Sequence, residues 1–183
     1  ANDEVWRCDL KSPCVKYCES KNNKHQCRIY KRDNMKKLKG LMTSETSEWY
    51  TPKDFYDKLN EEFNFTLDPC CTKESAKCEK FYTIEDDGLS QVWGGEVVFM
   101  NPPYGREIKD WIKKAHDEHF KNKTTVVCLI PARTDTSYWH DYIFNKATEI
   151  RFLKGRIKFE RPDGTKGDAA PFPSAVVVYK IKE

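Results

Sequence analysis

Asn101-Pro102-Pro103-Tyr104 follows directly on the apolar run Val97-Val-Phe-Met100. Two prolines end a strand and lock the backbone in one step. They hold Asn101 on a rigid turn with its amide facing outward, where it can donate and accept hydrogen bonds. Tyr104 adds an aromatic face nearby. The same residues also suit an Asn turn with a proline stop and no chemistry at all. A second strand-ending corner is Leu67-Asp68-Pro69. A third pattern is Cys8, Cys14, Cys18 and Cys27, spaced C-x5-C-x3-C-x8-C within 20 residues, with His25 beside the last. Four soft ligands suffice for one tetrahedral zinc. No gap is the tight C-x2-C loop, and four reduced cysteines in a basic tail fit equally well. His116 and His119 share a helix face like a metal pair, but no acidic third ligand completes a motif, so they are read as surface residues.

These corners need elements to position them. Pro52 suits a first helical turn, and Phe55, Leu59 and Phe63 recur at helical spacing, predicting a helix over 52–63. A short strand is expected over 65–68, ended by Pro69, and a buried strand over 96–100. Residues 106–121 place Ile108, Trp111, Ile112 and Ala115 on one helical face. Residues 125–130 read as a strand, 137–147 as a helix, and 150–160 and 174–181 as two further strands. Strands alternating with helices predict an α/β domain with a largely parallel sheet flanked by helices. Ligands in such sheets bind at the carboxyl ends of the strands, where both corners lie.

Charge divides the chain. Residues 1–47 carry 11 Lys+Arg against 6 Asp+Glu, whereas residues 48–183 carry 21 against 23. A basic arm on a near-neutral body suits phosphate contact, or serves only as a solvated tail. The organisation expected is a basic Cys-rich extension over 1–34, a linker over 35–47 and a catalytic body over 48–183. No apolar run approaches the ~18 residues that span a bilayer, so no membrane partner is expected. The first 30 residues hold no apolar h-region of a signal peptide. Of the body cysteines, Cys70 and Cys71 are adjacent and poorly placed to pair, and Cys128 sits in an apolar strand. Free thiols in a reducing cytoplasm follow.

Asn-Pro-Pro-Tyr resembles the catalytic motif of amino-group methyltransferases that use S-adenosylmethionine. Tyr50-Thr51-Pro52, Leu67-Asp68-Pro69 and Asp87-Gly88-Leu89 are similar to three further motifs of those enzymes, in the family's order. More closely, the body from Glu48 resembles small DNA N6-adenine methyltransferases of phages and prophages. Trp49-Tyr-Thr-Pro52, Asn101-Pro-Pro-Tyr-Gly105, Pro131-Ala-Arg-Thr-Asp-Thr136, Gly155-Arg-Ile-Lys-Phe159 and Ala170-Pro-Phe-Pro-Ser174 carry that likeness. It covers about three quarters of the chain and leaves out the arm. It implies a Rossmann-like methyltransferase fold, S-adenosylmethionine as cofactor, DNA as partner and the cytoplasm of a bacterial or phage-infected cell. The glycine-rich turn usual after the first strand is replaced by Cys70-Cys-Thr-Lys-Glu74.

The resemblance also implies roles. Asn101, Pro102, Pro103 and Tyr104 are the expected catalytic residues. The Asn101 amide oxygen and Pro102 carbonyl would accept from the adenine amino group, and Tyr104 would stack on the base. Thr51 would hydrogen-bond the methionyl carboxylate of the cofactor, Asp68 would attract its cationic portion, and Asp87, with its neighbour Asp86 as the alternative, would accept from its adenine. Trp49, Tyr50, Pro52 and Pro69 would complete that pocket. Residues 146–166 hold 7 basic and 3 acidic side chains around a hairpin suggested by Gly155 and Pro162-Asp-Gly164. Arg133, Arg156, Lys158 and Arg161 are the expected DNA contacts. Other planar amino groups, in an RNA base, cytosine N4 or a protein glutamine, fit the same motif. A zinc-stapled nucleic-acid-binding protein with an inactive methyltransferase body is the alternative from another class.

Overall fold

The computed structural model describes residues 49–161 and 164–181. The extension, the linker, and with them Cys8, Cys14, Cys18 and Cys27, lie outside the described residues.

Helix α1 spans Lys53–Phe63. Pro52 stands at its N-cap with φ −58°, and Asp54 supplies an acid to the first turn. The helix ends on Asn64, which adopts a left-handed φ of 56° and returns its N–H to Asn60. Strands β1 (Leu67–Asp68), β2 (Lys80–Phe81) and β3 (Val97–Met100) follow. Helix α2, Ile108–Asn122, crosses to β4, Thr125–Pro131. A five-residue π-helical turn, Trp139–Ile143, leads to β5 (Glu149–Phe152), β6 (Lys158–Glu160), β7 (Lys166–Ala169) and β8 (Ser174–Tyr179).

Six strands form one sheet in the order β2-β1-β3-β4-β8-β5. The pairs β1–β2, β1–β3 and β3–β4 are parallel, while β8 runs antiparallel to both β4 and β5. The carboxyl ends of β1, β2, β3 and β4 therefore share one edge.

Alternation along the strands builds a core on each face. Val98, Met100, Val126, Cys128, Ile130 and Val177 pack on one side with Trp93, Trp111, Ile112 and the π turn. Phe99, Val127, Leu129, Val176 and Val178 pack on the other with Tyr56, Leu59 and Phe63 of α1. A sheet covered on both faces explains why β4 and β8 read as continuous apolar runs.

The second face also receives the β6–β7 hairpin through Phe159. Glu160 donates its N–H to the Tyr50 carbonyl at 2.8 Å and accepts from the Lys53 N–H at 2.9 Å. The hairpin thereby fixes the Trp49-Tyr50-Thr51 segment against the sheet.

Several sequence expectations are corrected. The helix expected over 137–147 stops early: residues 137–143 are helical, with a π-helical stretch over Trp139–Ile143, and the chain then turns off at Phe144, whose ψ of 130° is extended. The strand expected over 150–160 is two strands of different sheets, separated at Gly155, whose φ of 82° suits a turn. His116 and His119 are half-buried, not free surface residues. His116 packs against Phe120 and Tyr142, and His119 against Tyr179. His140 is exposed, with its ring edge-on to Phe144.

Candidate active site

A cavity of about 600 Å³ opens at the carboxyl edge of the sheet. That is room for a nucleoside-sized ligand. Most of its wall comes from four places that the fold brings together, and Glu107 and Trp111 at the start of α2 add to it. Trp49, Tyr50 and Thr51 enter from ahead of α1, and Asp68 through Ser75 follow β1. Asn101, Pro102 and Pro103 follow β3. Thr83 through Glu85, with Asp87 and Gly88, arrive from the loop after β2.

Gly88 is there for lack of a side chain. A Cβ at that position would lie 2.0 Å from the Pro69 carbonyl oxygen. The loop after β2 can therefore close onto the end of β1 only through glycine. Trp93 clamps it by donating its indole N–H to the Gly88 carbonyl at 3.0 Å.

Asn101 is held at both ends of its amide. Its Nδ2 donates to the Trp49 carbonyl and to Thr51 Oγ1, the latter at 3.0 Å. Its Oδ1 accepts from the Tyr104 hydroxyl at 2.7 Å. A carbonyl facing one amide atom requires that atom to be the nitrogen, which fixes the orientation. The Tyr104 hydroxyl also lies 3.1 Å from the Leu129 carbonyl. Burial holds that phenol well above its ordinary pKa, so it stays a neutral donor. Its ring contacts Trp49, Phe159 and Phe172, with centroids 6.3, 6.1 and 5.4 Å away. Tyr104 thus stands beside Asn101 and off the cavity wall, as does Pro52 at the N-cap of α1.

Asp68 is 4% exposed and lines the cavity. Its carboxylate accepts from the backbone N–H of Lys77 at 3.2 Å and of Cys70 at 3.5 Å. No ion pair among the described residues includes it; Lys77 Nζ instead lies 3.9 Å from Glu160. Burial pushes its pKa up from 3.8 to about 6, against those backbone donors. A buried carboxylate without a cation is a fit for a positively charged ligand. Trp49 adds a buried indole N–H with no partner among the described residues.

Asp86 and Asp87 separate cleanly. Asp86 caps the turn by accepting from the Thr83 N–H and hydroxyl, each at 2.8 Å. Asp87 reaches the cavity from a left-handed φ of 50° and accepts from the Ser90 hydroxyl. Burial pushes the Cys70, Cys71 and Cys128 thiols up, so they stay neutral. The four described cysteines are free, as expected.

The expected DNA contacts lie apart from the cavity wall. Arg133 is exposed just past the end of β4, with its guanidinium 5.9 Å from the Phe172 ring. Phe172 in turn packs on Tyr104, so Arg133 flanks the Asn101 corner. Arg156, Lys158 and Arg161 are exposed on the β5–β6 turn and the β6–β7 hairpin. Arg161 lies 3.9 Å from Asp168, both exposed. Sequence reasoning missed the cavity wall at Lys73, Ser75, Lys77, Ile84 and Trp111. Its one signal was the small and basic run in place of a glycine-rich turn.

A fixed amide on a proline-locked corner, set on the wall of a nucleoside-sized cavity at the carboxyl edge of the sheet, marks a candidate active site of an α/β protein. The family model described as DNA N-6-adenine-methyltransferase (Dam) matches residues 39–182, and the chain belongs to that family. It is 29% identical over 143 residues to the DNA N-6-adenine-methyltransferase of Haemophilus phage HP1, covering 76% of this chain and 82% of that protein. It is 30% identical over 126 residues to the protein of the same name from Escherichia phage T1, covering 67% of this chain and 52% of that one.

Proposed function

We propose that the protein transfers a methyl group from S-adenosylmethionine to the N6 amino group of adenine in DNA, on a Rossmann-like methyltransferase fold. The observation that carries this is the Asn101 amide, fixed in orientation on the wall of the cavity and followed by two prolines. S-adenosylmethionine, when bound, supplies a methyl group activated on a sulfonium.

The residues present fit that cofactor. Asp68 would meet a cationic methionyl portion, Thr51 its carboxylate and Asp87 an adenine amino group. Trp49, Tyr50 and Pro69 wall the pocket, and Pro52 sets the backbone that presents Thr51. Exclusion of water around Asp68 strengthens each contact.

The adenine amino nitrogen is a poor nucleophile because its lone pair is delocalised into the ring. Asn101 Oδ1 keeps a lone pair after accepting from Tyr104, and the Pro102 carbonyl supplies a second acceptor. Two preorganised acceptors aimed at the two N–H bonds favour the pyramidal geometry of attack. The bound donor would supply the methyl group to that nitrogen as its sulfur–methyl bond breaks, and the amine would then lose one proton to solvent. A base reaches such a site by leaving the duplex stack. Tyr104 and its aromatic neighbours offer a surface against which the extruded base rests.

Arg133 lies where it would meet phosphate next to the extruded base, and the β6–β7 hairpin with Arg156, Lys158 and Arg161 would extend that contact. The basic extension over 1–34 would add a phosphate clamp, with zinc on Cys8, Cys14, Cys18 and Cys27 as its staple. No helix of the described residues is long and apolar enough to cross a membrane, and the phage relatives favour the cytoplasm of an infected cell. The test is digestion of DNA from cells expressing the protein, with modified nucleosides identified by mass spectrometry. N6-methyladenine is expected; N4-methylcytosine instead, or unmodified DNA, would refute the assignment.

A further inference from the structure

Thr51 is 2% exposed and lines the cavity. Its Oγ1 accepts from Asn101 Nδ2 at 3.0 Å. Among the described residues its own hydroxyl hydrogen has no acceptor. A buried hydroxyl that accepts but does not donate is half-satisfied, and its free donor calls for an acceptor on a ligand. The group it meets through its oxygen is the catalytic amide, 50 positions away in sequence.

We propose that Thr51 is a positioning residue that couples the occupied cofactor pocket to the catalytic amide. This rests on the methyl-transfer reading of the site. The methionyl carboxylate of the donor accepts from the Thr51 hydroxyl. A hydroxyl that donates to an anion becomes a better acceptor, because hydrogen bonds in a chain polarise one another. The Thr51 oxygen then holds Asn101 Nδ2 more firmly, and the amide's opposite end carries more negative charge. Tyr104 prevents that end from turning away. Asn101 therefore becomes the stronger acceptor for an adenine amino group once the donor is in place. Coupling of this kind is reciprocal, so loss of the Asn101 amide must also be felt at the donor site.

The test uses the full-length chain and S-adenosylhomocysteine, the stable demethylated donor, in titration calorimetry. Thr51→Val is expected to weaken its binding by ~10-fold or more, as for loss of a hydrogen bond to a charged group. In an Asn101→Ala background the same substitution is expected to weaken it at least ~3-fold less, the mark of coupled residues. With S-adenosylmethionine saturating, Thr51→Val should still slow single-turnover methyl transfer ~5-fold or more, and Thr51→Ser should restore both binding and rate. Thr51→Ala carries the same comparison if the valine variant does not fold. Additive effects on binding, or a wild-type rate for the saturated Thr51→Val enzyme, would overturn the coupling. Full adenine methylation by Asn101→Ala alone would instead overturn the assignment of the site itself.

Discussion

Asp68→Asn should move fold stability and cofactor affinity in opposite directions. The carboxyl is 4% exposed and has no ion-pair partner among the described residues. Burial raises its pKa from 3.8 to about 6, which amounts to roughly 3 kcal/mol against the ionised form in the empty protein. For an acid raised in the folded state, this penalty is fully present above about pH 6. It fades as pH falls towards 3.8 and is absent below that. Asparagine removes the charge but brings an amide NH2 without a partner, so the net gain is smaller, about 1–2 kcal/mol at pH 8. Thermal denaturation of the ligand-free variant should therefore show a higher Tm than wild type at pH 8, and no advantage below pH 4. A bound cation reverses the sign. Removing one member of a buried charge pair costs about 2–5 kcal/mol, so calorimetry should find S-adenosylmethionine bound at least ~30-fold more weakly. Wild-type affinity should decline as pH drops through about 6, while that of the variant stays flat there. A variant that is less stable at pH 8 and binds the donor normally would refute the role of Asp68 as an empty counter-charge.

Gly88→Ala places a Cβ 2.0 Å from the Pro69 carbonyl, so the loop after β2 must retreat. A loss of about 1–3 kcal/mol in chemical denaturation is expected, with weakened donor binding; unchanged values for both would show that the contact is not rigid. Glu118 is 4% exposed and accepts from Trp93 N–H, Asn122 and Lys114, which together hold its carboxyl low despite burial. Glu118→Ala should cost about 3 kcal/mol of stability, and the wild type should lose this contribution as pH falls below 4.5; an unaffected Tm would contradict the bond network. Deletion of residues 1–34 should lower DNA affinity and flatten its salt dependence, with about one zinc per chain in the intact protein. An unchanged salt slope removes the clamp, and metal-free protein removes the staple.

Much of this architecture was legible where single residues dictate structure. Pro102 and Pro103 had to end β3, and Asn101 had to occupy the corner. The apolar runs of β4 and β8 had to be buried on both faces, although nothing in them signals that β8 runs antiparallel. Helices α1 and α2 announced themselves through apolar spacing, and α1 also through Pro52 at its start. The rest depends on contacts distant in sequence. Strand β2 is only Lys80–Phe81, one residue exposed and the other half-buried, and has no periodicity to read. Its place at the sheet edge comes from pairing with Leu67 and Asp68. Gly88 looked like a turn residue, yet its reason is the approach of Pro69. The Tyr104 ring was expected against the base, and the sequence could not show that its hydroxyl reaches back to Asn101 Oδ1. The bond from Asn101 to Thr51 spans two elements, and the β6–β7 hairpin supports it by pinning Tyr50 through Glu160.

The most direct measurement is single-turnover methylation of unmodified DNA by purified wild type and Asn101→Ala, with labelled S-adenosylmethionine and nucleoside analysis of the product. The acceptor corner predicts label on adenine N6, and a rate at least ~10²-fold lower in the variant while donor binding stays within a few fold of wild type. Label on adenine N6 at a near-wild-type rate without the Asn101 amide would contradict it.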